Sequence, residues 1–285
     1  MDILLDILMI VGGVAVVLWG ADKLTVGSVA LASRMGVSQM VIGLTVVALG
    51  TSMPEFCVSF VSALKGTADM AVGNVVGSNI FNAMLIVGAA AMVAPMSVMR
   101  QTVRKDLVFA VAASMIMGAL VFDQSISRAD AAVLSALFFV YMWITLKGAK
   151  GATSADTPAT GADGTENDDT TATGQKFQMW KAAMWITVGL ACLIAGSNVF
   201  VSGATSVALA LNVPEAVVGL TIVAGGTSMP ELATSVVAAR KGNSGIAIGN
   251  VIGSNVFNIL FVVGLTGVVC PMTVSGITYI DLAVM

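Results

Sequence analysis

The chain has 285 residues, 57% of them hydrophobic and only 10% charged, with a formal net charge of −3 and a mean hydropathy of +0.96. That composition excludes a water-soluble globule and specifies a polytopic membrane protein, in which a small net charge says little about soluble partners. Histidine is absent, which removes HExxH zinc chemistry, Ser-His-Asp catalysis and any histidine proton relay.

Crossing the hydrocarbon core of about 30 Å takes about 20 apolar residues. Runs of that length are read at 3–33, 38–64, 69–94, 106–122, 127–147, 180–210, 214–239 and 245–270, and a ninth begins near 277. The first has no early basic residue and no small-residue cleavage site, so it is read as a retained span rather than a signal peptide. Between the fifth and sixth runs, residues 148–176 are rich in Thr, Ala, Gly and Asp and are expected to form a flexible acidic cytoplasmic linker. Its acids, Asp156, Asp163, Glu166, Asp168 and Asp169, lack the alternate spacing and central glycine of an EF-hand loop. Cys57, Cys192 and Cys270 lie inside apolar runs without CxxC spacing, and read as small buried hydrophobes. The 18 methionines are spread through the spans as lipid-facing or core filler, not as a soft-metal path.

One passage occurs twice. Residues 43–82 and 219–258 share 25 of 40 positions at a constant offset of 176. Gly-Thr-Ser-Met-Pro-Glu at 50–55 returns at 226–231, and Gly-Asn-Val-Val-Gly-Ser-Asn-Ile-Phe-Asn at 73–82 returns, with Val and Ile exchanged, at 249–258. Residues 20–32 align with 196–208 at the same offset, so the repeat begins at span one. The expected domains are a first repeat at 1–147, the linker at 148–176 and a second, incomplete repeat at 177–285 that stops within span nine. Five crossings per repeat, an odd number, turn the second copy upside down. With the N-terminus outside, eleven of the 13 Lys and Arg residues fall inside and only Lys65 and Arg128 outside, the expected cytoplasmic bias.

Acids, prolines and amides are costly within a membrane, and carrying them in both halves of a repeat is how many secondary transporters build a midplane site. Pro54 has no amide hydrogen and clashes one turn back, so the helix should open near Gly50 and Thr51 and free carbonyl oxygens, and Gly50 and the Gly225-Gly226 pair should ease that irregular backbone. Gly73 and Gly77, one turn apart, should admit a close neighbouring backbone. Oxygen is the only ligand type available: the carboxylates of Glu55 and Glu231, backbone carbonyls, the hydroxyls of Thr51, Ser52, Thr227, Ser228, Ser78 and Ser254, and the amides of Asn82 and Asn258. That is a hard-cation set, and two glutamates balance one calcium ion, with sodium able to use the same oxygens. Asn74, Asn79, Asn250 and Asn255 fit interhelical hydrogen bonding and the site equally well. Asp22 reads as an interfacial cap or a partner of Lys23, and Asp69, Asp106, Asp123, Asp130 and Asp281 as loop or interface charges.

At these motifs the chain resembles the cation/calcium exchanger superfamily, in its sodium/calcium exchanger branch, whose two repeats carry G-T-S-x-P-E and G-N-x-x-G-S-N-x-x-N. The resemblance covers about 20–94 and 196–270. It implies an all-α, ten-span fold of two inverted five-helix repeats, with spans one and six sliding past the rest. It further implies calcium coordination by Glu55 and Glu231 with the carbonyls of Thr51 and Thr227. The sodium sites it implies add the carbonyls of Ala48 and Ala224 and the hydroxyls of Ser52, Ser228, Ser78 and Ser254, with Asn82 and Asn258 at the central position. Potassium-dependent members place an aspartate where this chain has Asn258. The expectation is therefore a non-enzymatic sodium/calcium antiporter of the inner (plasma) membrane that works by alternating access. Its alternatives are a proton-coupled or potassium-dependent antiporter, a cation channel and, weakest, an intramembrane hydrolase. Calcium and sodium are its substrates, with no cofactor, no nucleic acid and a monomer in the lipid bilayer.

Overall fold

The structure, a computed structural model, describes residues 3–98, 100–149, 172–213, 222, 224–274 and 276–285. Helix α1 (Ile3–Met35) leads into α2 (Gln39–Thr51) and α3 (Met53–Leu64), which meet at a bend of 44°. Next come α4 (Ala68–Val93), the short α5 (Arg100–Arg104), α6 (Asp106–Leu120), strand β1 (Ser125–Ile126) and α7 (Arg128–Ala149). The second half holds α8 (Ala172–Ala210), α9 (Ala224–Thr227), α10 (Met229–Arg240), α11 (Ser244–Val269), strand β2 (Met272–Thr273) and α12 (Tyr279–Val284). Among the described residues six helices are long and apolar enough to cross a membrane, and the bent pair α2–α3 makes a seventh span. The protein is thus an all-α, multi-pass integral membrane protein. Most of the acidic linker, and the first part of the span expected at 214–239, lie outside the described residues.

The break between α2 and α3 falls at Ser52, where ψ is 4°, and Ser228 repeats it with ψ of 6° between α9 and α10. In each case a proline follows within the first turn, Pro54 or Pro230, and removes the amide hydrogen that the carbonyl one turn back would have accepted. The glycines before the break have another role than the one expected. Neither Gly50 nor Gly226 has positive φ; a Cβ on Gly50 would lie 2.5 Å from the Leu190 side chain, and one on Gly226 would lie 2.0 Å from Val201. Their value is room for α8 to pass, not backbone freedom.

Helices α1 and α8 run antiparallel and touch backbone to backbone. A Cβ on Gly13 would sit 2.8 Å from the Gly196 carbonyl, one on Gly20 2.8 Å from the Gly189 carbonyl, and one on Gly203 2.7 Å from the Asp6 carbonyl. Lipid tails are as apolar as leucine, so such close van der Waals contact is what joins two membrane helices. Gly249 and Gly253 of α11 are packed in the same way against Gly43, Leu44 and Ala48 of α2. At Gly73 and Gly77 an added Cβ meets nothing within 4 Å among the described residues, so the close neighbour expected there is not seen; most of residues 219–224, the counterpart of the α2 stretch that packs on Gly249 and Gly253, lie outside the described residues.

Helix α11 is the central element. Its Phe257, Ile259, Leu260, Val262 and Val263 are buried against α4, α6 and α7. Phe138 of α7 joins that core, 4.9 Å from the Phe257 ring and 5.1 Å from Phe261. Among the described residues π-helix winds through Gly43–Val47, Asn82–Ile86 and Phe257–Val263, a form often found at functional positions. At one end β1 pairs antiparallel with β2, Ser125 opposite Thr273 and Ile126 opposite Met272, which ties the first half to the second. The Gly276 amide donates to Asp69 Oδ1 at 2.8 Å in the same region. Asp281 closes a capping box with Thr278, and Asp22 pairs with Lys23 beside it and, more closely, with Lys241 at the end of α10.

Candidate cation site

Glu55 sits in the first turn of α3 and Glu231 in the first turn of α10, each three residues past its break and each fully buried. A buried acid needs donors, and each receives one from the other half. Ser52 Oγ donates to Glu231 Oε1 at 3.1 Å, and Ser228 Oγ donates to Glu55 Oε1 at 3.1 Å. Ser254 adds a longer contact to Glu231 Oε1 at 3.5 Å. The serine at each break therefore holds the acid beyond the other break, and the two bends form one site.

A second layer fixes the backbone. Asn74 Nδ2 donates to the Glu55 carbonyl at 3.2 Å and to Ser59 Oγ at 3.0 Å. Asn250 Nδ2 makes the same two bonds to the Glu231 carbonyl and Ser235 Oγ, at 3.2 and 3.0 Å. Asn250 Oδ1 also accepts from Thr51 Oγ1 at 3.0 Å, so this one amide joins the halves. Through these contacts the amides of Asn74 and Asn250 brace the broken helices. Asn79 and Asn255 lie between α4 and α11 and hold Asn258 and Asn82, respectively, through their side-chain oxygens at 3.0 Å.

The donors in this region leave acceptors over. Glu55 Oε2, Glu231 Oε2, Asn82 Oδ1 and Asn258 Oδ1 are all buried, and none has a hydrogen-bond partner among the described residues. A buried oxygen without a donor carries a desolvation cost of about 1–3 kcal/mol, more for a charged group. Four of them, one glutamate and one asparagine from each half, form an oxygen set suited to a hard cation. Among the described residues no three of His, Cys, Asp and Glu gather into a transition-metal cluster.

The other expected residues divide. Ser52, Ser228 and Ser254 are joined to the acids, and Thr51 reaches them through Asn250. Ser78 is buried one turn before Asn82. Ala48 is buried, and its carbonyl accepts the Ser52 amide at 3.0 Å within the helix, with its second lone pair left for a further partner. Ala224 opens α9 and Thr227 closes it, partly buried. The sequence reading passed over the glycine seam of α1 and α8. Its signal was present: Gly13, Gly20 and Gly27 are seven apart and recur at the repeat offset as Gly189, Gly196 and Gly203.

This fold and oxygen-lined site define a membrane transporter rather than an enzyme, and comparison with known proteins gives the family. A profile described as Sodium/calcium exchanger protein matches residues 5–147 and 181–285, and the chain belongs to that family. Among its relatives is the "Putative antiporter CaxA" of Alkalimonas amylolytica, 36% identical over 264 residues, 93% of this chain and 81% of that protein. The "Inner membrane protein YrbG" of Escherichia coli strain K12 is 34% identical over 276 residues, 97% of this chain and 83% of the relative. A solved structure of the sodium-calcium exchanger NCX_Mj, soaked with 10 mM Na+ and zero Ca2+, superposes with a TM-score of 0.83 at 28% identity, over 99% of this chain and 87% of that one.

Proposed function

We propose that this protein is a sodium/calcium antiporter, and that Glu55, Glu231, Asn82 and Asn258 form the heart of a site that the two ions occupy in turn. The observation that carries the reading is the set of four buried oxygens without donors. Two carboxylates balance one Ca2+, while the neutral amide oxygens complete a shell that either ion can use. The hydroxyls of Ser52, Ser228, Ser78 and Ser254 and the carbonyls of Thr51, Thr227, Ala48 and Ala224 supply the remaining positions in this reading. Crossed serine donors keep one oxygen of each carboxylate in place and leave the other to the ion.

The packing supports a reading of alternating access. Helices α1 and α8 are locked together by glycine contacts and move as one pair, and α8 passes against both breaks at Gly50 and Gly226. A shift of that pair along the breaks uncovers the site on one side while it covers the other. In this arrangement the halves are inverted five-span repeats, the N-terminus faces outward, the membrane is the inner membrane and a monomer suffices. The relatives' printed names, an antiporter, an inner membrane protein and a sodium-calcium exchanger, are in keeping with it.

Everted or reconstituted vesicles test the coupling ion. Calcium-45 uptake should follow an outward sodium gradient, need no potassium, and fail when a pH gradient replaces sodium. Uptake driven equally by protons, or dependent on potassium, would overturn the sodium/calcium assignment in favour of the corresponding antiporter, and flux without any counter-ion would indicate a channel.

A further inference from the structure

A primary amide presents either an oxygen or an NH2 group, and only the oxygen can face a cation. Which of the two Asn82 and Asn258 present is decided elsewhere, by a chain of bonds that starts at backbone carbonyls. The carbonyl of Asn255 can only accept, and Asn79 Nδ2 lies 3.2 Å from it, so the Asn79 side-chain oxygen must point the other way. That oxygen accepts from Asn258 Nδ2 at 3.0 Å, which turns Asn258 Oδ1 away from α4, and it is one of the four buried oxygens without a partner. The mirror chain runs from the Asn79 carbonyl through Asn255 Nδ2, at 3.5 Å, to Asn255 Oδ1, which accepts from Asn82 Nδ2 at 3.0 Å and leaves Asn82 Oδ1 unpartnered.

We infer that Asn79 and Asn255 are positioning residues that lock the neighbouring amides with oxygen toward the ion, and so set the site's preference for cations without touching one. The inference rests on the cation reading of the site given above. An amide whose orientation is locked needs no rearrangement when the ion arrives, whereas a free one settles with whichever group finds a partner.

Replacing the orienting residue by an apolar one of similar size, Asn255→Leu, removes the acceptor for Asn82 Nδ2. Leaving that buried donor unmatched should weaken calcium binding about tenfold. The discriminating step is to repeat the substitution in an Asn82→Asp background. A carboxylate presents oxygen whichever way it turns, so Asn255→Leu should there cost less than about twofold. A residue that merely supports the fold would cost the same in both backgrounds. Calcium dissociation constants of the purified, monodisperse full chain, read by titration calorimetry, give the four corners of the cycle. If Asn255→Leu does not yield monodisperse protein, Asn79→Leu with and without Asn258→Asp runs the mirror cycle. Equal losses in both backgrounds, or no loss in the first, overturn the orienting role while leaving the site itself intact. Absence of calcium binding in the unsubstituted protein overturns both the site and this inference.

Discussion

At the scale of single residues the outcome turns on charge and on which half supplies it. Two carboxylates meet across the repeat, and a unit charge pair at 4 Å contributes about 4 kcal/mol at an effective dielectric of 20. Glu55→Gln or Glu231→Gln keeps the shape and removes one charge from the site proposed to take a divalent ion. Each should lower calcium affinity at least about a hundredfold, since 1.4 kcal/mol corresponds to tenfold. Calorimetry on the two purified variants checks it. The two acids were legible in the sequence because an acid that recurs at a fixed offset inside apolar runs is hard to explain by packing. The crossed pattern, with Ser52 on Glu231 and Ser228 on Glu55, was not legible: spacing places a serine three residues before its own acid and says nothing of which acid it reaches. Likewise the direction of an amide is invisible in a string of letters, so Asn79 and Asn255 could not be told from interhelical ties.

At the scale of elements, two contacts between helices differ sharply in weight. The glycine seam leaves no room for a side chain, and forcing one into packed structure costs typically about 1–3 kcal/mol. Gly20→Leu should therefore lower the melting temperature in detergent and slow transport, whereas Gly12→Leu, where nothing lies within 4 Å of an added Cβ, should leave both near their original values. Thermal unfolding of the two variants side by side makes the comparison. The Asp22–Lys241 ion pair joins α1 to the end of α10, but both side chains are about a third exposed. A pair in that setting contributes at most about 1 kcal/mol and is screened by salt. Lys241→Gln should change stability by less than Gly20→Leu, and its own effect should shrink further in high salt, as the same unfolding assay can record. The span boundaries were readable because twenty apolar residues in a row leave few alternatives, and the broken helix because proline removes a donor. What composition could not reveal was the purpose of Gly50 and Gly226, whose neighbours Leu190 and Val201 both come from another helix, α8.

At the scale of the molecule, the two halves are joined at many points, among them the site, the α1–α8 glycine seam, α2 against α11, and the β1–β2 pair. A site assembled in this way can only answer to both halves at once. The family resemblance implies three sodium ions for one calcium, and on that stoichiometry calcium entry carries one net positive charge outward. An inside-positive potential should then favour calcium uptake, each 100 mV shifting the balance by about 2.3 kcal/mol. Uptake into vesicles clamped at opposite potentials measures it, and uptake indifferent to potential would point to electroneutral exchange. The all-α, multi-pass architecture was legible from the apolar runs, and the pairing of the two motif copies from the 176-residue repeat. The closeness of the union was not, because it depends on contacts between copies rather than within them.

The most direct test of the central claim, that both halves contribute to one site shared by two ions, is to count calcium bound per chain in the purified protein while sodium is raised. The account predicts one calcium per chain, displaced by sodium, and lost when either Glu55 or Glu231 alone is changed to Gln. Unchanged calcium binding in either single variant, or calcium that sodium does not displace, would contradict it.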